Sequence, residues 1–370
     1  MSVVTFTDEM GSPTPELTNG LTTSDTGSLF ARLRLSAAEL RRARRRLHAK
    51  ALFTTVLGVA AYSALVLAPS PLYLQVIAAV VLVHTLLATA TGIMHDANHH
   101  AFSSRRWVNQ LVAYSADLLG ASSMLWRLQH NTMHHRHTNV EGVDGDIDQM
   151  PFARLSPSQP LEARHRFQHL YLWFLYGFLQ LRWFVVGDYV SLAGYLKNPE
   201  TRRGVSRVGV LKMVLGKVVH LSWAIVIPCL LHPWWCVLAV YVGVSYAVGF
   251  MLAVTFQVAH CVQEADMLSE DPGTLKGDAM VIHQLNTTVD VETPSLFSRL
   301  WVSYVCGGLH MQVEHHIAPR IPHTAYPTLQ KRVRELCQEI NVTHRTHASV
   351  WRAVSAHGRH LRVMGRPQTV

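Results

Sequence analysis

Charge is scarce in this chain: Asp, Glu, Lys and Arg make up 15% of its 370 residues, against roughly 25% of a soluble domain. That deficit, beside 49% apolar residues, argues against reading the length as two soluble domains. Cysteine is sparse as well. Cys229, Cys236, Cys261, Cys306 and Cys337 are odd in number, scattered and without a CxxC pair. A disulfide framework and a Cys-ligated zinc site are therefore not expected. The N-terminus lacks the basic-then-apolar pattern of a leader peptide. Internal repeats and nucleic-acid motifs are also missing. The excess of 33 Lys+Arg over 24 Asp+Glu then reads as loops facing an anionic membrane leaflet, with no nucleic-acid partner.

Long apolar runs are what the charge deficit leaves. Residues 51–67, 72–93, 208–231 and 234–257 hold few or no charges. At ~1.5 Å of rise per residue each is long enough to cross a bilayer as a helix. Ala68-Pro69-Ser70-Pro71 and His232-Pro233 break the runs into two hairpins. Arg41-Arg42-Ala43-Arg44-Arg45-Arg46 lies just before the first run and places the N-terminus in the cytoplasm. The expected fold is all-α and integral to the membrane, multi-pass, with four transmembrane helices and both termini cytoplasmic. Trp107 to Trp126 reads as an interfacial or re-entrant helix, and His169 to Tyr189 as an amphipathic helix on the membrane surface in preference to a further span. Amphipathic segments are expected at Ser295 to Leu309 and Thr328 to Ile340. Residues 1–28 read as a disordered tail, 29–340 as the membrane domain and 341–370 as a cytoplasmic tail.

The other abundant feature is histidine, 23 residues, much of it in three clusters. They are His95-Asp96-Ala97-Asn98-His99-His100, His130-Asn131-Thr132-Met133-His134-His135 and Gln312-Val313-Glu314-His315-His316. Each falls at the same side of the expected spans. On a helix, residues four apart share a face, so His95 with His99 and His130 with His134 each aim two imidazoles at one site. His135 and His316 flank their neighbours at about 100° and can reach an adjacent ion. Neutral imidazole is the commonest metal ligand, and this many from several segments implies many ligands per ion or two ions. Iron, copper and zinc all accept imidazole. Asp96, Glu314, Glu264, Asp144 and Asp146 are candidates to orient ring N–H groups. No metal role is assigned to His220, His232, His323, His344, His347, His357 or His360.

A His-rich metal site at a bilayer surface suits a long apolar chain as substrate. An unactivated methylene has no proton that a side chain can remove, so its oxidation needs a metal oxidant fed by dioxygen. The protein's share is ligand geometry, a dry tunnel and positioning of one C–C bond.

The boxes HxxxH, HxxxHH and QxxHH at this spacing between two hairpins resemble the membrane fatty acyl desaturase family. Trp126-Arg127-Leu128-Gln129-His130-Asn131, Thr138-Asn139-Val140 and Gly307-Gly308-Leu309-His310-Met311-Gln312 are also similar to it. Gln312, in place of the first His of the third box, resembles the front-end subgroup, which inserts a double bond between an existing one and the carboxyl end. The resemblance implies a cytosolic His-rich cap with a di-iron centre. Its ligands would be His95, His99, His100, His130, His134, His135, His315 and His316, with His260 from the end of the last span. Asp96, Gln312 and Glu314 are expected to act at that centre, Gln312 as a weak or water-mediated ligand, with His283 and His310 as outer supports. The implied reaction is oxygen-dependent formation of a cis double bond in an acyl chain carried by CoA, acyl carrier protein or a membrane lipid. The N-terminal stretch lacks the His-Pro-Gly-Gly haem motif of many front-end enzymes. Electrons are therefore expected from a separate ferredoxin or small haem protein, and the chain resembles bacterial members, in a plasma membrane. An acyl hydroxylase or acetylenase on the same scaffold is the alternative, and a non-catalytic membrane protein that binds metal or haem is a second one.

Overall fold

A computed structural model of the chain describes residues 28–68 and 70–367. The expected tail at 1–28 lies, apart from Ser28, outside the described residues. The protein is mostly helical. Among the described residues the strands are limited to Asp290–Val291 paired in parallel with Thr346–His347.

Four helices are long and apolar enough to cross a membrane: Ala37–Leu67, Leu72–Asn98, Arg207–Cys229 and Trp234–His260. Only 17% of the most apolar stretch of the first and 22% of the third is buried by the rest of the protein. Leu52, Phe53, Val56, Val59, Leu211, Leu215 and Val218 all point outward. An apolar surface of that extent has no place in water, and these helices mark a membrane protein.

The first helix starts at Ala37, about four turns earlier than the apolar run alone suggests. Ser36 and Glu39 form a capping box, in which the Ser36 hydroxyl accepts from Glu39 N (3.2 Å) and the Glu39 carboxylate accepts from Ser36 N (2.7 Å). The basic stretch then continues the same helix, since Arg, Lys and Ala are strong helix formers.

The second and fourth apolar helices form the centre. Val83, Leu87, Ala90 and Met94 pack against Val248 and Leu252. Beyond the ends of these two helices lies a second core, Val281, Leu285, Val313, Leu329, Val333 and Leu336. It joins the helices Gly277–Thr287, Gln312–Ile317 and Tyr326–Glu339 into a cap.

Three expectations need correction. Trp107 to Trp126 is not one helix but three short ones, Arg106–Ala113, Ser115–Leu118 and Ser123–Trp126. Gly120 at φ 85° turns the chain between the last two, and a Cβ there would meet the His220 ring at 3.1 Å. His169 to Tyr189 is broken as well. Ala163–Tyr176 and Leu179–Lys197 meet at 74°. Gly177 sits at the bend against Tyr246, whose ring a Cβ would strike at 2.1 Å. Residues 341–370, read as a tail, contain the helix Val350–Met364, and its Leu361 is buried with Leu155, Leu172 and Cys261.

Candidate metal centre

The first His box rides on the end of the second apolar helix. There the helix widens into a π-turn at Thr89–Met94 before His95–Asn98. Thr91 fixes this turn by donating to both Leu87 O (2.9 Å) and Val305 O (2.7 Å). Gly307, at φ 56°, lies so close that a Cβ would sit 2.3 Å from Thr91 O. That close approach locks the segment leading to the third box onto the helix carrying the first. The helix ends at His99. The Ala101 N–H bonds to Asp96 O (2.7 Å) and the His100 N–H to Ala97 O (3.1 Å), with His100 left-handed at φ 61°. This is a Schellman stop. It turns the His100 ring out to solvent, so His100 does not join the other predicted ligands.

The second box uses a π-helix, Arg127–His134. His135 N bonds to His130 O at 3.0 Å, five residues back. A turn widened to i→i+5 brings residues i, i+4 and i+5 toward one face. His130, His134 and His135 therefore all point inward. In the third box the opposite device operates. His315 and His316 are neighbours on the six-residue helix Gln312–Ile317, about 100° apart, and serve different parts of the site. His260 arrives as the last residue of the fourth apolar helix.

Eight of the nine predicted ligands converge. His95, His99, His130 and His315 each offer a nitrogen within 4.8 Å of the others, and so do His134, His260 and His316. His135 joins the two sets through His315 and His316. All eight are buried. Ring nitrogens face one another directly, His95 Nε2 to His130 Nε2 at 3.3 Å and His135 Nε2 to His315 Nε2 at 3.0 Å. Burial, and then the neighbouring imidazoles, hold His99, His130, His135, His315 and His316 well below the usual histidine range. They are neutral, with lone pairs turned toward one another. The buried His99 Nε2, His316 Nε2 and Gln312 Oε1 have no hydrogen-bond partner. Such a set fits metal cations, which would satisfy those nitrogens.

Surrounding groups fix the rings. His134 Nδ1 donates to Asp144 (2.9 Å), and Asp144 also accepts from Asn139 N and Asp146 N. Burial disfavours the His134 cation, but Asp144 and Asp146 outweigh it and raise its pKa to about 9. Nε2 is left as the atom that exchanges its proton for a metal. His316 Nδ1 donates to Gln284 Oε1 (2.9 Å), and the Tyr326 hydroxyl lies 3.1 Å from His315 Nδ1. The Trp126 ring covers the first set, 4.3 Å from His130 and 5.5 Å from His95, centroid to centroid.

The acids divide. Asp96 is 3.9 Å from His95 Nδ1 and instead accepts from His323 N and Nδ1 (3.0 and 2.9 Å). Glu314 faces away from the cluster, toward His344 (3.6 Å) and the Asp290 group. Burial and then Asp290 hold its carboxyl well above the ordinary range. Glu264 is exposed. His283 is buried and His310 half-buried, each with one ring nitrogen unpartnered. Sequence reasoning missed Gln284, Tyr326 and His323. None lies in a cluster, and only the fold brings them in.

The sequence profile described as fatty acid desaturase matches residues 70–348. The chain is 34% identical over 278 residues to an acyl-lipid (8-3)-desaturase of Physcomitrium patens, covering 74% of this chain and 57% of that protein. It is 29% identical to the sn-1 linoleoyl-lipid 6-desaturases of Synechocystis sp., over 86% of this chain and 89% of that one, and of Arthrospira platensis, over 84% of each.

Proposed function

The chain belongs to the fatty acid desaturase family, and from that premise we propose that it introduces a cis double bond into a lipid-bound acyl chain near the carboxyl end. The observation that carries this reading is the convergence of eight buried imidazoles from three boxes and the fourth apolar helix. The names of the moss and cyanobacterial relatives support acyl lipid as substrate and a bond position close to the carboxyl group. Two iron ions held there would supply the power, drawn from dioxygen, to oxidise unactivated methylenes. His95, His99, His130 and His315 would hold one, and His134, His260 and His316 the other, with His135 between them. Two C–H bonds break and one C=C bond forms. The two hydrogens removed combine with dioxygen, two supplied electrons and two protons to give two waters.

The protein's own residues prepare the site. Burial keeps the imidazoles neutral and available. Asp144, Gln284 and Tyr326 hold the far ring nitrogens and so fix the near ones. Trp126 shields one flank from water and offers an apolar surface to the acyl chain. Gln312 places a carbonyl oxygen at the centre's edge, while Asp96 and Glu314 position the helices they sit on. The four apolar helices are read as two membrane hairpins with the His end cytoplasmic, where the basic face meets an acidic ferredoxin or small haem protein.

The test is expression in a host lacking the enzyme, followed by mass spectrometry of its fatty acids with double bonds located. A new double bond toward the carboxyl end is expected. A new hydroxy acid with unchanged unsaturation would sink the reading in favour of hydroxylation.

A further inference from the structure

A second concave site lies beside the His cluster, and its chemistry is opposite to that of an acyl channel. It is a cavity of about 260 Å³ lined by His100, Arg106, Gln110, Tyr114, Arg127 and Lys212. Three of the six carry a fixed positive charge and none is acidic. Among the described residues, none of Arg106, Arg127 and Lys212 is within ion-pair distance of a carboxylate. Asp117 acts on Arg127 from beyond ion-pair distance, but the three charges still repel one another, and a bound anion would offset that cost.

The individual groups are arranged for such a ligand. Arg127 is half-buried and anchored to Asn98 Oδ1 (3.2 Å) through one nitrogen, which leaves the rest of its fork free. The Lys212 amine meets the Tyr114 hydroxyl and lies 4.7 Å from the centre of that ring, which fixes a side chain that would otherwise swing.

Position matters as much as charge. Lys212 lies in the first turns of the Arg207–Cys229 helix, and Arg106 opens the short helix whose Trp107 and Leu111 are exposed. That is the level of lipid headgroups, where basic pockets between membrane helices take phosphate groups. The pocket is also one residue from the cluster on two walls. His100 follows His99, and Arg127 follows Trp126.

We propose that this pocket is a headgroup subsite, holding the phosphate ester of an anionic phospholipid whose acyl chain enters the His centre. The inference rests on the reading of the chain as an acyl-lipid desaturase and specifies its substrate class. With the phosphate anchored beside His99 and Trp126, the first carbons after the ester lie nearest the centre. A double bond near the carboxyl end is then the natural product. The same phosphate chemistry is present in acyl-CoA, so the carrier is decided by experiment.

The full-length protein is placed in nanodiscs with one acyl donor at a time: phosphatidylglycerol, a neutral galactolipid, or acyl-CoA. Arg106→Gln and Lys212→Gln are compared with wild type, and Lys212→Arg serves as the conservative rescue. For phosphatidylglycerol, KM is expected to rise roughly tenfold per lost charged contact, and the turnover ratio of phospholipid to galactolipid to fall accordingly. With metal stripped from all of them, the two variants should bind dihexanoyl phosphatidylglycerol more weakly than wild type by the same factor, which reads binding without chemistry. If only acyl-CoA shows the dependence, the phosphate belongs to that carrier and the phospholipid assignment is overturned. Equal use of the galactolipid, or unchanged KM in both variants, overturns the subsite altogether. So does a defect confined to reduction by the electron donor, which would make the pocket a docking site for that protein. Absence of any double bond from wild type would defeat the desaturase reading, while the binding arm would still decide the pocket.

Discussion

The two halves of the His cluster are built by different means. His134 and His316, in one half, are each held through Nδ1 by Asp144 and Gln284. In the other half His95 has no such carboxylate, Asp96 being 3.9 Å away, and the His95 Nδ1 is without a partner. Its rings are packed chiefly against Trp126 and one another, with His315 held through Nδ1 by the neutral Tyr326 hydroxyl rather than by a carboxylate. The difference teaches that the half carrying His134 is ordered by the protein before metal arrives. The half carrying His95 depends on packing and on the ion. An apolar wall beside the second type suits the place where an acyl chain must pass.

The largest effect that could break this contrast is loss of a ligand. His134→Ala removes an anchored ring, and desaturation should fall by at least about 100-fold, the upper range for loss of a supporting partner. Retained activity would remove His134 from the ligand set. Metal content, measured by mass spectrometry of purified protein, should drop from two ions per chain toward one. Next comes the anchor itself. Asp144→Asn keeps the shape but weakens the charge-assisted bond, and metal affinity in a chelator titration should fall roughly 10–100-fold. Asp96→Asn should cost less, because Asp96 serves His323 rather than a ring of the cluster. If the Asp96 variant proves the weaker binder, the distinction between the halves is wrong.

A chelator applied to the wild type sharpens the same point. The half carrying His95 should release its ion first, and thermal unfolding should show a drop in midpoint that metal restores. The frame that joins the boxes can be loosened without touching a ligand. Gly307→Ala must push its Cβ away from Thr91 O from a left-handed backbone, at a cost of about 1–3 kcal/mol. The thermal midpoint should fall by several degrees. An unchanged midpoint would mean that the contact with the π-turn is loose.

These differences set the limit of what the sequence could show. The boxes are legible because a spacing of four places two rings on one helical face, and seven of the eight converging imidazoles lie in them, His260 having come from the resemblance alone. The apolar runs mark all four long helices, although the capping box at Ser36 moves the first start well upstream. The π-turns are not legible, since no residue type announces a turn of i→i+5. That hides why His135 faces inward beside His134 while His100, beside His99, does not. Gln284 and Tyr326 are equally silent in the sequence. Each is one polar residue among several in its helix, and only the packing of the cap core brings it to a ring.

The smallest expected effect concerns the far side of the third box, where no His of the cluster is involved. His344 Nε2 lies 3.2 Å from Asp290 and 3.6 Å from Glu314. Asp290 in turn accepts from Val313 N (2.9 Å) and Gln330 (2.8 Å), and so fixes the start of the helix that carries His315 and His316. Burial lowers the His344 pKa, but Asp290 and Glu314 outweigh it and raise it to about 9. A value above the unfolded 6.5 means that folding favours the protonated form. The stabilisation is full below about pH 6.5 and disappears as pH rises through 9, with a size of roughly 1–3 kcal/mol. The wild-type thermal midpoint should therefore fall between pH 7 and 9.5. In His344→Phe it should start lower and change less. Parallel pH curves would show that His344 does not hold the Asp290–Glu314 pair. The third box would then be positioned by Gly307 and the cap core alone.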